Sequence, residues 1–226
     1  MGETIQFLAL RHNQIDCCVN YTGNVWATLM QRKDVQDPRT TFDETSLFLR
    51  DKYGIVCLGR LGFENAYAVA MPRRRAEQLG IRTIADLAKH APLFAIAGDL
   101  QFFERSEWSR VRELYGLSFR QTRPMDPTLM YEAIASGAVD VICPYTSDGR
   151  ILQNDLIILD DSRAAFPPYD AVLLLSAKAA ADPKLRGALE PLVGAIGMDA
   201  MRGANLRVDV EKQSPRSAAR ELLAKP

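Results

Sequence analysis

The sequence predicts a mixed α/β fold in which short buried strands alternate with helices. Apolar runs such as residues 55–58 and 139–143 have the length of strands that are covered on both faces. The segments between such runs carry helix signals, for example the cap-then-proline pair Asp126-Pro127 and the stop residue Gly116. Helices that connect buried strands predict parallel sheets covered on both sides.

Seven apolar runs are interpreted as strands because each is short, apolar and bounded by polar or turn-forming residues. The predicted strands are residues 15–19, 55–58, 66–71, 93–97, 139–143, 156–159 and 171–175.

Helix ends are predicted from capping residues. Thr4 is the expected cap of a first helix that ends near Asn13, a residue that tolerates the left-handed conformation. A short helix over residues 45–52 is expected to stop at Gly54, and Thr83 with Asp86 resembles a capping box. The other predicted helix starts are Ser106, Asp126-Pro127, Asp182-Pro183 and Ser214-Pro215.

The length and the net charge limit the classes of function that the sequence allows. The 226 residues correspond to one large or two small domains. Lysine plus arginine and aspartate plus glutamate each number 28, so the net charge is zero and no basic field favours nucleic acid. No apolar run approaches the ~18 residues of a membrane span, and no signal peptide is recognisable.

The sequence predicts neither a metal site nor an enzyme. The four cysteines form no C-x-x-C pair, and His12 and His90 each lack a neighbouring ligand type, so no metal or other cofactor is expected. The sequence contains no G-x-S-x-G, Walker or G-x-G-x-x-G motif. A cysteine–histidine nucleophile pair is the enzymatic alternative that the residue types leave open.

Two segments of the sequence share one pattern at a fixed offset of 124 residues. Residues 9–16 precede Tyr21-Thr22, and residues 133–140 precede Tyr145-Thr146, in the same register. Each copy is interpreted as helix, turn and strand with a tyrosine beyond the strand's carboxyl end, where ligands bind in open α/β sheets. The alternative is that such units recur in any α/β protein.

Several tyrosines stand at element ends, and their chemistry suits a cation. Tyr67 begins a predicted strand, and Tyr169 closes the stiff segment Phe166-Pro167-Pro168-Tyr169. Tyrosine faces around a cavity hold a quaternary ammonium group, which has no N–H to donate, at about 0.5–2 kcal/mol per contact. Arg105 has the bidentate geometry for a ligand carboxylate. Half-buried packing is the alternative for each tyrosine alone.

Several motifs together resemble the substrate-binding proteins of osmoprotectant ABC importers, which bind glycine betaine, choline, carnitine or proline betaine. The motifs span residue 3 to about residue 175, in the family's order. They are Tyr21-Thr22-Gly23, Phe63-Glu64-Asn65-Ala66-Tyr67-Ala68, Phe102-Phe103-Glu104-Arg105, residues 125–151 with Tyr145, and Phe166-Pro167-Pro168-Tyr169.

The resemblance implies a two-lobed type II periplasmic binding protein fold with the ligand cleft between the lobes. Two chain crossings, near residues 66–71 and 166–172, would make lobe one residues 1–68 and 170–226, and lobe two residues 69–169. Closure of the lobes on the ligand would produce the form that the transporter permease reads.

The resemblance also implies a non-enzymatic function and a ligand site. The protein would be the solute-binding component of an ABC importer for a quaternary ammonium osmolyte, located in the periplasm or at the cell surface. The implied ligand-binding residues are the cage Tyr21, Tyr67, Tyr145 and Tyr169, the carboxylate partner Arg105, the backbone contact at Asn65, and Asn24.

Two departures from the family pattern matter. Family members begin about forty to fifty residues earlier, so lobe one is expected to be N-terminally incomplete, and a second copy of the chain is the candidate partner that completes it. Asn20 and Asn24 stand where the family has an acidic residue and a hydroxyl residue. The alternative function is therefore a truncated homologue that folds, as a dimer in this hypothesis, but does not bind ligand.

Overall fold

The computed structural model describes residues 2–223, with side chains from residue 5, and it has a mixed α/β architecture. The strands are β1 Cys17–Tyr21, β2 Val56–Glu64, β3 Ala70–Pro72, β4 Ala95–Gly98, β5 Gln121–Pro124, β6 Val141–Cys143, β7 Leu156–Ile158 and β8 Asp170–Leu175. The helices are α1 Gly2–Arg11, α2 Thr22–Asn24, α3 Pro38–Tyr53, α4 Arg73–Leu79, α5 Ile84–Ala88, α6 Ser106–Tyr115, α7 Pro127–Ala135, α8 Arg150–Gln153, α9 Ala177–Ala180, α10 Pro183–Leu189, α11 Met198–Asp209 and α12 Pro215–Leu223.

The chain forms two compact units. Among the described residues, the first contains residues 2–65 and 168–200, and the second contains residues 66–167 and 201–223. In the first unit, β8 is the central strand of a three-stranded sheet and pairs antiparallel with β1 and with β2. Helices α1 and α3 cover this sheet through a buried core, whose members include Phe7, Leu10, Leu49 and Leu174.

The second unit contains a five-stranded sheet in the order β5-β4-β6-β3-β7. Strand β4 runs parallel to β5 and β6, whereas β3 runs antiparallel to β6 and β7. Two apolar clusters belong to this unit. The larger includes Ile96, Phe102 and Trp108, and the smaller includes Met130, Ile134 and Ile142.

Several predicted helix ends are confirmed. The Asp126 side chain accepts a hydrogen bond from the Thr128 amide at the start of α7. Thr83 and Asp86 form the predicted capping box at α5. Gly54 and Gly116 end α3 and α6 in the left-handed conformation, with φ of 67° and 64°. The predicted cap at Thr4 lies outside the described side chains.

Other predictions differ from the structure. The prediction of parallel sheets is wrong for the first unit, where both strand pairings are antiparallel. Of the strand predicted over residues 66–71, only the end lies in β3, because residues 66–69 contact the segment after β6 through an isolated bridge and single hydrogen bonds. Ser106 is the first residue of α6 and not its cap. The sequence did not indicate α2, α4, β5, α8, α9 or α11.

Helix α12 and most of α11 belong to the second unit, whereas the sequence predicts residues 170–226 as one part of lobe one. The Arg202 side chain donates to the carbonyl oxygen of Thr146 at 2.6 Å, and Asn205 donates to that of Ser147 at 2.8 Å. Gly149 lets the backbone of Leu206 approach closely. These contacts attach residues 201–223 to the second unit.

Within residues 2–223, every helix falls short of the length and hydrophobicity that a membrane span requires.

Candidate functional site

The seven predicted ligand-binding residues divide between the two units. Tyr67, Arg105 and Tyr145 belong to the second unit, where they lie together. The other four belong to the first unit and are Tyr21, Asn24, Asn65 and Tyr169.

In the second unit, backbone hydrogen bonds align Tyr67 and Tyr145 side by side. The Ala68 amide donates to the carbonyl of Pro144 at 2.9 Å, and the Thr146 amide donates to that of Ala66 at 2.8 Å. The two tyrosines form an isolated antiparallel bridge, and their rings stack with centroids 4.5 Å apart. Rings at this separation are in contact, so they offer a ligand their outer surfaces and not a space between them.

The two tyrosine hydroxyls form a chain that ends on a carboxylate. Tyr145 donates to the Tyr67 oxygen at 2.9 Å, and Tyr67 donates to Asp99 Oδ2 at 2.6 Å. Burial, followed by the hydrogen bonds with Asp99 and Tyr145, raises the pKa of Tyr67 above its usual range. Tyr67 therefore stays a neutral donor at physiological pH.

The turn after β4 holds Asp99 in place. Its Oδ1 accepts hydrogen bonds from the amides of Gln101 and Phe102, both at 2.9 Å. Phe102 is fully buried, and its ring lies 4.8 Å from that of Tyr67. The carboxylate is thus positioned by its own turn and directed at the tyrosine pair.

Arg105 lies beside the tyrosine pair and is bound to a buried carboxylate. Its guanidinium carbon is 5.4 Å from the Tyr67 ring centroid. Its Nη2 atom is 2.8 Å from Glu107 Oε1, and the Glu107 side chain is only 9% exposed. Burial raises the pKa of Glu107, but the hydrogen bonds from Arg105, its own backbone and Ser106 outweigh burial, so the net pKa is lowered.

The two stacked tyrosines, Tyr67 and Tyr145, differ sharply in solvent exposure. Tyr67 is 7% exposed, whereas Tyr145 is 39% exposed. Tyr145 therefore presents the accessible ring, and Tyr67 supports it from behind.

In the first unit, Tyr169 is fixed by contacts to its backbone and ring. Its carbonyl accepts from the Asn65 amide at 3.0 Å. The Thr22 hydroxyl bonds the backbone on both sides of it, accepting from the Asp170 amide at 3.1 Å and donating to the Pro168 carbonyl at 3.4 Å. A Cβ atom at Gly23 would lie 2.6 Å from the Tyr169 ring, so the ring packs directly on this glycine.

The buried Asn20 organises Tyr21 and Asn24. Its Oδ1 accepts from the Tyr21 amide at 2.7 Å and from Asn24 Nδ2 at 3.5 Å. Tyr21 is the last residue of β1 and pairs with Ala171. The Asn20 side-chain amide thus has a local structural role.

Sequence reasoning missed Asp99 and Glu107. A carboxylate directly after a buried strand is a detectable signal, because the carboxyl ends of strands are where ligands bind in α/β folds. Glu107 has a weaker signal, since an acidic residue two positions after an arginine is common on protein surfaces.

Within the described part of the chain, no group of three or more histidine, cysteine, aspartate or glutamate side chains is arranged to hold a metal ion.

The comparisons with known proteins agree on one family. The family described as the substrate binding domain of ABC-type glycine betaine transport systems (OpuAC) matches residues 1–225. A solved structure described as a glycine betaine/carnitine/choline ABC transporter superposes with a TM-score of 0.92 at 28% identity, covering 98% of this chain and 82% of that chain.

Two curated relatives extend over nearly the whole chain. The glycine-betaine-binding protein of Pseudomonas aeruginosa is 30% identical over 99% of this chain, which spans 76% of that protein. The ergothioneine transport permease/ergothioneine binding protein EgtU of Helicobacter pylori is 28% identical over 95% of this chain, which spans only 39% of the longer relative.

Proposed function

Because the chain belongs to the family of substrate-binding domains of ABC-type glycine betaine transport systems, we propose that it binds a quaternary ammonium osmolyte of the glycine betaine type for import. Its partners would be the ligand and a transporter permease. Its location would be the periplasm or the cell surface. The formation of a homo-oligomer stays a prediction. Light scattering on the purified chain measures the oligomeric state.

The observation that carries the proposal is the half-exposed Tyr145 ring, stacked on Tyr67 and held by the hydroxyl chain to Asp99. A fixed, electron-rich ring is the surface that attracts an ammonium group lacking N–H donors. In this proposal Tyr21 and Tyr169 complete the cage, and Asn24 and the backbone of Asn65 contribute polar contacts.

Arg105 is the proposed group for the carboxylate of a betaine. Its guanidinium lies beside the Tyr67 ring, within reach of a ligand that contacts the tyrosine pair. Glu107 holds this guanidinium in place. The arrangement supports a ligand with a cationic head and a short anionic tail.

The experiment is isothermal titration of the purified chain with glycine betaine, choline, carnitine, proline betaine and ergothioneine. Ergothioneine is included because of the EgtU relative. Saturable binding of one or more of these ligands is the expected result. Absence of heat with all five, from a chain shown to be folded by circular dichroism, would favour the alternative of a homologue that folds without binding.

A pair of variants then tests the aromatic surface. Tyr145→Ala removes the exposed ring and is expected to weaken binding by up to ~30-fold, since a ring contact is worth about 0.5–2 kcal/mol. Tyr145→Phe keeps the ring and loses only the hydrogen bond to Tyr67, so it should stay within ~5-fold of the wild type. Equal affinity in the alanine variant and the wild type would show that Tyr145 is not part of the site.

A further inference from the structure

We propose that Asp99 sets the charge preference of the site by strengthening the binding of a net positive ligand such as choline more than that of a zwitterion such as glycine betaine. This inference rests on the proposed function, because it concerns the ligand contacted by Tyr145 and Tyr67.

The position of Asp99 is the first observation. Both carboxylate oxygens are engaged: Oδ1 accepts from two backbone amides and Oδ2 accepts from the Tyr67 hydroxyl. A carboxylate held on three donors does not turn away when a ligand arrives. Through Tyr67 it increases the electron density of the ring pair on which a cation would lie.

The surroundings make this charge effective. Asp99 is itself half-buried and accepts from the amide of the buried Phe102, so its field is less screened than that of a fully exposed carboxylate. Burial raises the pKa of the Cys143 thiol, and the negative charge of Asp99 adds to that effect. The thiol is therefore neutral and contributes no charge of its own.

The cluster of charged side chains formed by Asp99, Arg105 and Glu107 has a negative net charge. Arg105 contributes one positive charge, and Glu107, which binds it at 2.8 Å, contributes one negative charge. Asp99 adds a second negative charge, and the donors that hold it, a hydroxyl and two backbone amides, are neutral. Asp99, Arg105 and Glu107 together therefore carry one net negative charge.

The two ligand types respond differently to this field. Choline carries a net positive charge, so its attraction to Asp99 strengthens its binding without an opposing repulsion. Glycine betaine carries a carboxylate as well, so the attraction of its ammonium group is opposed by repulsion of its carboxylate. The ratio of the choline and glycine betaine affinities is thus the quantity that Asp99 controls.

The test measures both affinities by titration calorimetry in the wild type and in Asp99→Asn. The asparagine keeps an oxygen for the two turn amides and removes the charge. We expect choline binding to weaken ~10-fold and glycine betaine binding less than ~3-fold, as for a charge acting at several ångströms in a partly desolvated site. If the asparagine variant does not fold, Asp99→Ser is measured instead, since its hydroxyl can accept from the Phe102 amide.

Asp155→Asn is the matched control. It removes the same charge from a carboxylate of the same unit that is 72% exposed and bonded to Arg73, so the choline-to-betaine ratio should equal the wild-type ratio. An unchanged ratio in Asp99→Asn would overturn the inference while leaving the proposed function intact. A folded wild-type chain that binds another of the five ligands but neither of these two would overturn the inference alone, and one that binds none of the five would overturn both.

Discussion

At the level of single residues, Gly23 has a clear physical role in the first unit. Its missing side chain makes room for the Tyr169 ring, which lies where a Cβ would be. Because three ring carbons lie 2.6–2.7 Å from that position, a methyl group there displaces the ring. The proposed cage depends on where this ring lies.

Gly23→Ala is therefore expected to weaken quaternary ammonium binding ~10-fold or more, by moving Tyr169. Titration calorimetry measures the affinity, and a thermal melt checks the fold. Gly187→Ala is the matched control, since this glycine is in α10 and the added Cβ would meet no other part of the described chain within 4 Å. Equal affinities for Gly23→Ala and the control would remove Tyr169 from the proposed cage.

At the level of helices and strands, the contact between α8 and α11 holds the C-terminal segment in the second unit. Gly149 precedes α8, and a Cβ there would lie 2.2 Å from the Leu206 backbone nitrogen and 2.5 Å from its Cα. Backbone atoms of a helix cannot turn aside as a side chain can. The close approach therefore requires glycine for steric reasons, at an ordinary φ of −66°.

Gly149→Ala is expected to lower the free energy of unfolding by about 1–3 kcal/mol, because it overpacks this contact. Urea denaturation followed by circular dichroism measures the change. Gly203→Ala, in α11 with only the Arg207 side chain 3.7 Å away, should be neutral or up to about 1 kcal/mol stabilising. A Gly149→Ala variant as stable as the wild type would contradict the close approach of α11.

Across the whole molecule, acidic groups make stability depend on pH. The net charge is zero, so general repulsion is small near pH 7. The pKa of Glu107 is lowered on balance, because hydrogen bonds outweigh its burial. Hydrogen bonds from Thr40 and Thr83 lower the pKa values of the exposed Asp37 and the partly exposed Asp86. A lowered folded-state pKa stabilises the fold above the unfolded pKa, and this contribution is lost as pH falls through the folded value.

We therefore expect the melting temperature to fall as pH decreases below about 4.5, the usual range of a glutamate. Glu107→Gln removes one of the responsible groups, so its melting temperature should fall less steeply over the same pH interval. Thermal melts at pH 3, 4, 5 and 7 measure both proteins. Parallel curves for the two proteins would show that the Arg105–Glu107 pair contributes nothing to acid sensitivity.

The amino-acid sequence predicts one part of the candidate site and not the other. The segments with Tyr67 and Tyr145 were identified from element ends and from the offset repeat. The pairing of Tyr67 with Asp99, 32 residues later, depends on how residues 66–69 lie against the segments after β4 and β6. No local pattern encodes a hydroxyl chain between residues so far apart.

The helix ends at Asp126, at the Thr83–Asp86 box and at Gly54 follow from the amino-acid sequence alone, because capping and left-handed conformations involve a side chain and backbone only a few residues apart. The α/β class follows in the same way from short apolar runs. Three features emerge only in the folded chain. The first two are the antiparallel pairing of β8 with β1 and β2 and the packing of α11 on Gly149. The third is the pairing of Arg105 with Glu107 and of Tyr67 with Asp99. Most of these contacts join residues distant along the chain, and even the Arg105–Glu107 pair depends on burial. Their geometry follows from packing of whole elements and not from local propensity.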